Sequence, residues 1–220
     1  VGSLSDVAAW SFCQDKIMTT GGEGGMITTD NEEIWNKVWS LKDHGKSWEA
    51  IYKQKHPPGF RWVHNSFGTN ARMTEMQSGI GRYQLKKMNQ WHLKRLENSK
   101  QIWNSTKDID GLIAPTIPDF IDHAAYKCYL KIEMNSIKSS WSRDKILVEI
   151  NNLGVPCFSG SCSEIYNEKA FDNSTFRPKK FLKNAKKLGE ESLMFVVHPN
   201  LKKEHIDKTI DAIQKVYLKA

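Results

Sequence analysis

The pattern of hydrophobic and polar residues predicts two short strands near the start of the chain. Residues 7–12 form an apolar, β-prone run, and residues 26–29 form another, with a glycine-rich loop between them. We expect the first strand to be buried. Asp30 is placed to cap a following helix, because Glu33 stands three residues later, in the position of a capping box.

A long segment without periodicity follows this helix and precedes another helical pattern. Residues 42–70 contain histidines, two adjacent prolines and three glycines, and we interpret them as a long functional loop. From Thr74 to Trp103 apolar residues recur at helical spacing, which predicts one long helix of the kind that connects domains. The predicted division is therefore a first domain of residues 1–106 and a second of residues 107–220.

The second predicted domain shows the pattern of a compact α+β unit. Strands are predicted at residues 126–133, 155–158 and 193–197. Residues 143–153 predict a helix that ends at Gly154. The apolar stripe of a terminal helix comprises Ile206, Ile210, Ile213 and Tyr217.

Composition places the chain among globular proteins. It has 220 residues, of which 39% are hydrophobic and 26% charged. It shows neither an apolar run of membrane-spanning length nor a signal peptide. Its four cysteines fit neither a zinc pattern nor a disulfide framework, although Cys157 and Cys162 lie close in sequence. We expect a cytoplasmic protein with reduced thiols, no membrane contact and no metal.

The net charge of +7 favours an anionic partner. The densest basic stretch, residues 177–187, has apolar residues at helical spacing, so its lysines are interpreted as the solvated face of a helix. No nucleic-acid-binding module accompanies the charge, and nucleic acid is not an expected partner. A salt-dependent gel shift would test that exclusion.

The segment SFCQDKIMTTGGEGG, residues 11–25, contains the main candidate site. Its glycines match neither a P-loop nor G-x-G-x-x-G, and a tight turn is one interpretation. The other interpretation rests on Lys16, which follows an apolar strand. Desolvation there lowers an amine's pKa toward the nucleophilic form, which condenses with an aldehyde. The Ser11 hydroxyl and backbone amides could hold a phosphate, as pyridoxal phosphate requires.

Two further segments carry polar side chains at the ends of predicted elements. Asn70 and Arg72 stand just before a helix N-terminus, where anions are favoured, although a polar helix entry is an equal alternative. His198 follows a predicted strand in HPN, where an ordinary turn is the better interpretation.

Several blocks of the sequence resemble the DegT/DnrJ/EryC1/StrS sugar aminotransferases. The first block consists of GSLSDVAAWSF, then Lys16, and then TTGGEGGMITTD. The second block is LKDHG, and the third is NARMTEMQSGIGRYQLKKM. LGVPCFSG, EIYNEKAF and ESLMFVVHPNL are similar to the C-terminal domain of that family, less closely. The order of the blocks agrees with the family, and the resemblance covers essentially the whole chain.

The resemblance implies an α/β fold, the C-terminal part of a fold type I, aspartate aminotransferase-like transferase that depends on pyridoxal 5'-phosphate. The chain would supply the remainder of the large mixed-sheet domain and a smaller α+β domain. The implied reaction moves an amino group, usually from glutamate, onto a keto sugar carried on a nucleotide diphosphate, for polysaccharide or related sugar biosynthesis.

The resemblance also implies residue roles and a homodimer with shared sites. Lys16 would be the catalytic Schiff-base lysine, and Ser11 a ligand of the cofactor phosphate. Asn70 would reach the phosphate of the neighbouring subunit's cofactor, and Arg72 would contact substrate near the shared site. Some relatives carry histidine instead of the lysine and deoxygenate a sugar, which Lys16 argues against here.

The chain departs from the family at its start. In the family, a phosphate-cradling loop, a ring-stacking aromatic residue and an acid that pairs with the pyridine nitrogen precede the lysine block. We expect this chain to begin after them, so a truncated, non-catalytic homologue that dimerises or regulates is the alternative function. On this basis residues 107–220 should form the best-ordered core, and residues 1–70 should need a partner surface.

Overall fold

In the computed structural model, which describes residues 2–220, the chain divides into two compact units. The first ends at Met88, and the second runs from Asn89 to Ala220. This division lies before the predicted boundary at residue 106, because Ile102 and Trp103 pack into the core of the second unit. The assignment of the first segment to a cofactor-binding domain stays a prediction.

The first unit combines a hairpin-like pair of strands with three helices. The strands β1 (Ala8–Ser11) and β2 (Gly25–Thr28) are antiparallel, with Ala8 opposite Thr28. The helices are α1 (Glu32–Lys42), α2 (Trp48–Tyr52) and α3 (Glu75–Leu85). Both strands lie where the sequence predicts them.

The prediction that the first strand is buried is wrong. Its residues are alternately half-buried and exposed. On β2, Met26 and Ile27 are 48% and 47% exposed. The sheet contains only these two strands among residues 2–220, so neither face is covered as a buried strand requires.

Helix α1 begins one residue later than predicted. Asn31, not Asp30, is the N-cap, and its side chain accepts a hydrogen bond of 3.0 Å from the Ile34 amide. The predicted functional loop also contains α2, which the Ser47 side chain caps. Helices α1 and α2 contact each other through four aromatic rings, those of Trp35, Trp39, Trp48 and Tyr52.

The predicted long helix is two helices. α3 ends at Leu85, and α4 spans Met88–Ser105. Between them the amide of Lys87 donates to the Gln84 carbonyl at 2.9 Å, a tighter turn than the α-helix makes. The break contains neither glycine nor proline, so no local signal marks it. Thr74 caps α3 in a capping box with Gln77.

The second unit is built on a four-stranded antiparallel sheet. Its strands are β3 (Leu112–Ile113), β4 (Cys128–Ile132), β5 (Cys157–Phe158) and β6 (Ser192–Phe195), in the order β3-β4-β6-β5. Besides α4, its helices are α5 (Arg143–Asn152), α6 (Lys183–Glu191) and α7 (Lys203–Tyr217). The α+β prediction for this region is confirmed.

A single hydrophobic core lies under this sheet. Cys128, Leu130 and Ile132 of β4 are buried and alternate with half-buried residues, as expected when one face of a strand packs inward. The stripe on α7 is confirmed at Ile206 and Ile213, which are 1% and 0% exposed. The core also takes side chains from α4 and α5.

The basic stretch forms α6 only from Lys183 onward. Gly154 at the end of α5 has φ +74°, the left-handed conformation expected of a residue that ends a helix.

Of the helices within residues 2–220, none has both the length and the apolar character that crossing a membrane requires.

Candidate active site

The loop after β1 is closed on itself by backbone hydrogen bonds. The Phe12 amide donates to the Gly24 carbonyl at 2.8 Å, and the Thr20 amide donates to the Phe12 carbonyl at 3.2 Å. Within this loop a turn forms at Lys16, whose amide donates to the Cys13 carbonyl at 3.1 Å. The lysine is therefore carried on a closed loop.

Thr20 anchors the glycine-rich part of the loop. It is 1% exposed, and its Oγ1 donates to the Glu23 carbonyl at 3.1 Å. A Cβ added at Gly24 would lie 2.1 Å from this oxygen, so the backbone passes Thr20 too closely for any side chain. A different reason applies at Gly21, whose φ of +81° is a left-handed backbone conformation that glycine adopts more easily than other residues. The glycines thus serve the turn that holds the loop.

Helix α3 supports the same loop with polar side chains. The Gln84 Oε1 accepts from the Thr19 amide at 2.9 Å, and the Gln77 Nε2 donates to the Glu23 carbonyl at 2.8 Å. Gly81, on the same face, lets the helix approach, since a Cβ there would lie 3.0 Å from the Thr20 methyl group. The sequence analysis assigned these glutamines no role. Their spacing of two helical turns nevertheless indicates that both lie on one face of α3.

The Lys16 side chain is partly exposed and lies beside a carboxylate. The side chain is 36% exposed, and its Nζ lies 3.0 Å from Asp15 Oδ1. The Cys13 Sγ donates to the same oxygen at 2.8 Å. Asp15 was not among the predicted site residues, and its carboxylate forms an ion pair with the lysine amine.

Ser11, the last residue of β1, lies in the same local cluster as Lys16. Its Oγ accepts a long hydrogen bond of 3.5 Å from the Cys13 amide. The carbonyl of Cys13 in turn accepts a hydrogen bond from the Lys16 amide. The serine is exposed. The structure therefore brings the predicted hydroxyl and the predicted amine to one loop.

Asn70 and Arg72 form a second cluster, centred on Asp43. The Arg72 Nε donates to Asn70 Oδ1 at 3.2 Å, and an Arg72 Nη1 lies 3.6 Å from Asp43 Oδ1. The backbones of Asp43 and Asn70 pair in an antiparallel bridge. Both predicted residues lie just before the N-terminus of α3, as expected. Asp43 was missed, although it lies in the block LKDHG.

Asp43 is a mostly buried carboxylate among basic side chains. Its side chain is 12% exposed, with Lys46 Nζ at 3.2 Å and Lys42 Nζ at 4.0 Å. Burial raises the pKa of the Asp43 carboxyl, but the hydrogen bond and charge of Lys46, with the charges of Arg72 and Lys42, hold the pKa below its ordinary value. Asp43 is therefore the anion that orders this cluster.

Two glycines let the chain cross itself beside Asp43. Gly45 has φ +85°, and a Cβ there would lie 1.8 Å from the Ser66 carbonyl oxygen. A Cβ on Gly68 would lie 2.3 Å from the Gly45 nitrogen. Direct backbone contact at this crossing explains the glycine of LKDHG, and it fixes the bridge that carries Asn70.

The segment between Arg72 and α3 also reaches the lysine loop. The Met73 Cε lies 3.2 Å from the position of a Cβ on Gly24.

His198 is exposed on the second unit, and its Nδ1 accepts from the Asn200 amide at 3.2 Å. The prediction of an ordinary turn at His198 is confirmed.

The two buried thiols are poor nucleophiles. Burial raises the pKa of Cys128 and of Cys157 to about 12 in each case. Since the thiolate is the reactive form of cysteine, neither residue is suited to covalent catalysis at neutral pH.

Comparison with known proteins identifies the family of the chain. The family model described as the DegT/DnrJ/EryC1/StrS aminotransferase family matches residues 1–214. The chain belongs to this family. The resemblance noted in the sequence is thereby confirmed.

Individual relatives show the same relationship. An aminotransferase from Psychrobacter cryohalolentis, solved by X-ray, is 52% identical with a TM-score of 0.94, over 99% of this chain and 57% of that chain. GDP-perosamine synthase of Caulobacter vibrioides is 29% identical over 98% of this chain and 53% of its own length. A spore coat polysaccharide biosynthesis protein of Bacillus subtilis is 27% identical over 98% of this chain and 55% of its own length.

These matches confirm the predicted fold class, the mixed α/β fold of the fold type I aminotransferases. The chain spans about half the length of the curated relatives it matches.

Proposed function

We propose that this chain is part of an aminotransferase that uses pyridoxal phosphate to move an amino group onto a keto sugar linked to a nucleoside diphosphate. The proposed amino donor is glutamate. The observation that carries the proposal is Lys16, whose side chain is partly exposed on a loop closed by Thr20. Membership of a sugar aminotransferase family supports it.

The described residues fit the two ends of the cofactor. The Lys16 side chain is partly exposed, and the exposed residue Ser11 lies in the same loop, where its hydroxyl could donate to a phosphate. Pyridoxal phosphate, when bound, supplies the electron sink that stabilises a carbanion at the substrate carbon.

Lys16 has two proposed roles. Its Nζ would hold the cofactor at the aldehyde carbon, with loss of water, until the donor amine displaces it. The freed amine would then carry a proton from the amine-bearing carbon of the donor to the aldehyde carbon of the cofactor. Asp15 Oδ1, now 3.0 Å from this nitrogen, would hold the ammonium form whenever the amine is not bonded.

Asn70 and Arg72 are proposed to act across a homodimer. Asn70 would bind the cofactor phosphate of the neighbouring subunit, and Arg72 would bind substrate at the shared site. The support is that Asp43 and Asn70 hold the Arg72 guanidinium, while the Arg72 side chain keeps 47% of its surface exposed. An oriented guanidinium suits a phosphate or carboxylate ligand.

Reduction with borohydride and peptide mapping test the role of Lys16. We expect the full-length protein incubated with pyridoxal phosphate to carry one pyridoxyl mark, on Lys16. A Lys16→Arg variant should lose the mark, and the control Lys37→Arg, on exposed α1, should keep it. A mark on another lysine with Lys16 unmodified would overturn the assignment, and the absence of any mark would favour a non-catalytic homologue.

Mixing two inactive variants tests the roles across the dimer. When Lys16→Ala and Asn70→Ala subunits exchange, one of the two sites in each mixed dimer keeps both residues, so part of the transamination activity should return. If mixed dimers are detected and no activity returns, Asn70 does not act on the neighbouring subunit.

A further inference from the structure

Three basic side chains share one carboxylate in the first unit. Lys46 Nζ and Arg72 Nη1 lie 3.2 Å and 3.6 Å from Asp43 Oδ1. Lys42 Nζ lies 4.0 Å from the other oxygen of the same carboxylate. In the part of the chain that the structure describes, Asp43 is the only carboxylate that pairs with any of the three. This basic cluster of Lys42, Lys46 and Arg72 therefore has an excess of two positive charges over its carboxylate.

The basic cluster keeps hydrogen-bond donors that the described residues do not use. The Arg72 Nε donates to Asn70, but neither Nη nitrogen donates a hydrogen bond to any residue the structure describes. The Lys42 Nζ likewise has no hydrogen-bond acceptor there, and it lies 4.8 Å from the centroid of the Trp39 ring. The three basic side chains are between 26% and 47% exposed. The cluster is therefore partly open to solvent and has donors to offer to an anion.

The end of α1 does not need the lysines of the cluster as donors. Basic side chains near the C-terminus of a helix can hydrogen-bond its last carbonyls. Here backbone amides fill that role, since the Thr69 amide donates to the Leu41 carbonyl at 2.7 Å and the Ala71 amide donates to the Lys42 carbonyl at 3.0 Å. The lysine amines therefore remain available for a ligand.

We propose that Lys42 and Lys46 act with Arg72 to bind the diphosphate of the nucleotide-linked sugar. This role rests on the proposed function, in which the substrate carries a nucleoside diphosphate, and it extends substrate binding to two lysines. In such a substrate each phosphate carries about one negative charge, as a phosphate of a nucleic acid does. The guanidinium fork suits one phosphate through parallel N–H donors, and the lysines, as compact charges, suit the other.

Isothermal titration calorimetry of the full-length protein loaded with pyridoxal phosphate tests the site, with inorganic pyrophosphate as the probe. Because the cofactor then occupies its own phosphate site, pyrophosphate reports on a separate one. Lys42→Met and Lys46→Met should each weaken pyrophosphate binding by about tenfold, as expected for the loss of one charge-assisted contact. Lys42→Arg, which keeps the positive charge, should retain most of the affinity.

The matched control is Lys37→Met, which removes the same charge from the same helix, α1. Lys37 Nζ lies 2.6 Å from Glu33 Oε1, and its side chain is 75% exposed, so pyrophosphate affinity should be unchanged. Circular dichroism checks that each variant folds. Lys46 donates to Asp43 at 3.2 Å, whereas Lys42 does not hydrogen-bond to it, so Lys42→Met decides the test if Lys46→Met does not fold.

Three results would overturn the site. The first is no binding of pyrophosphate, or equal affinity in Lys42→Met and Lys37→Met. The second is a loss of affinity for pyridoxal phosphate in Lys42→Met with pyrophosphate binding unchanged, which would assign the cluster to the phosphate of the cofactor. The third is glutamate that binds more tightly than pyrophosphate and is weakened by Lys42→Met, which would assign the cluster to the amino donor.

Failure of this site and failure of the proposed function are distinguishable. The pyridoxyl mark on Lys16 should survive in Lys42→Met, so a lost diphosphate site leaves the cofactor lysine testable. In a Lys16→Ala chain titrated without the cofactor, Lys42→Met should still weaken pyrophosphate binding by about tenfold. The anion site can therefore be confirmed or rejected whether or not Lys16 carries the cofactor.

Discussion

The two units of this chain differ in how they use their apolar residues. In the second unit, side chains from the sheet and from α4, α5 and α7 form one continuous buried core. In the described part of the first unit, the buried apolar residues are Ala50 and Val63, while Phe60, Trp62 and Met76 are 79%, 89% and 79% exposed. The second unit is therefore stabilised by its own core, whereas the first depends on other contacts.

Backbone crossings and polar anchors provide those other contacts. Thr20 and Asp43, both polar, are among the buried residues of the first unit. Each lies where glycines allow two backbone segments, or a backbone and a side chain, to touch. Such contacts define a local geometry but bury little apolar surface, so we expect the first unit to gain much of its stability from a covering surface.

The largest expected effect contrasts two phenylalanines. Phe195→Ala in β6 should lower the free energy of unfolding by about 3–5 kcal/mol, because Phe195 is 0% exposed. Phe60→Ala should change it by less than about 0.5 kcal/mol, because Phe60 is 79% exposed. Urea titration followed by circular dichroism measures both. Similar losses for the two variants would show that the first unit has a core of its own.

The next effect tests the crossing beside Asp43. Gly45→Ala should destabilise the first unit by about 2 kcal/mol or more, because the new Cβ would overlap the Ser66 carbonyl and the φ of +85° is strained for alanine. Gly59→Ala is the control, since its φ of +104° is strained but nothing lies within 4 Å. Its cost should be about 1 kcal/mol.

Hydrogen exchange of peptides from residues 41–45 and 66–70 measures that loss locally. Unchanged protection in Gly45→Ala would mean that the crossing does not hold the first unit together.

A smaller, pH-dependent effect is expected at Asp43. Because its folded pKa is lowered, its stabilising contribution is present above the ordinary aspartate pKa of about 3.9 and is lost as the pH falls through the lowered value. Asp43→Asn should therefore cost about 1–2 kcal/mol at pH 7. That cost should vanish at low pH.

Unfolding of both proteins between neutral and strongly acidic pH measures this difference. A cost for Asp43→Asn that is constant across the range would show that the charge of Asp43 is unimportant.

The smallest effect separates two glycines of α3. A Cβ on Gly79 would meet nothing within 4 Å, so Gly79→Ala should stabilise the protein by about 0.5–1 kcal/mol. Gly81→Ala should gain less or lose stability, because its Cβ would lie 3.0 Å from Thr20. Thermal unfolding compares the variants. Equal gains would indicate that α3 does not press on the lysine loop.

The elements were largely predictable from sequence, and their ends were less so. β1, β2 and α7 follow from local apolar patterns, which neighbouring residues determine. The break at Lys87 was not predicted, because no glycine or proline marks it. The cap at Asn31 was not predicted, because the adjacent Asp30 could have served as well. Burial of β1 was predicted wrongly, since an apolar strand is buried only when other strands or helices cover it.

The sequence by itself determined the family, the fold class and the place of Lys16 between a strand and a glycine loop. These depend on residues close together in the chain, whose order and spacing are visible in it. Tertiary structure alone decided that Thr20 anchors the lysine loop against α3 and that Asp43 joins Asn70 and Arg72. Those contacts join segments far apart in sequence, and the backbone crossing that creates them has no local pattern, because it depends on where the chain returns.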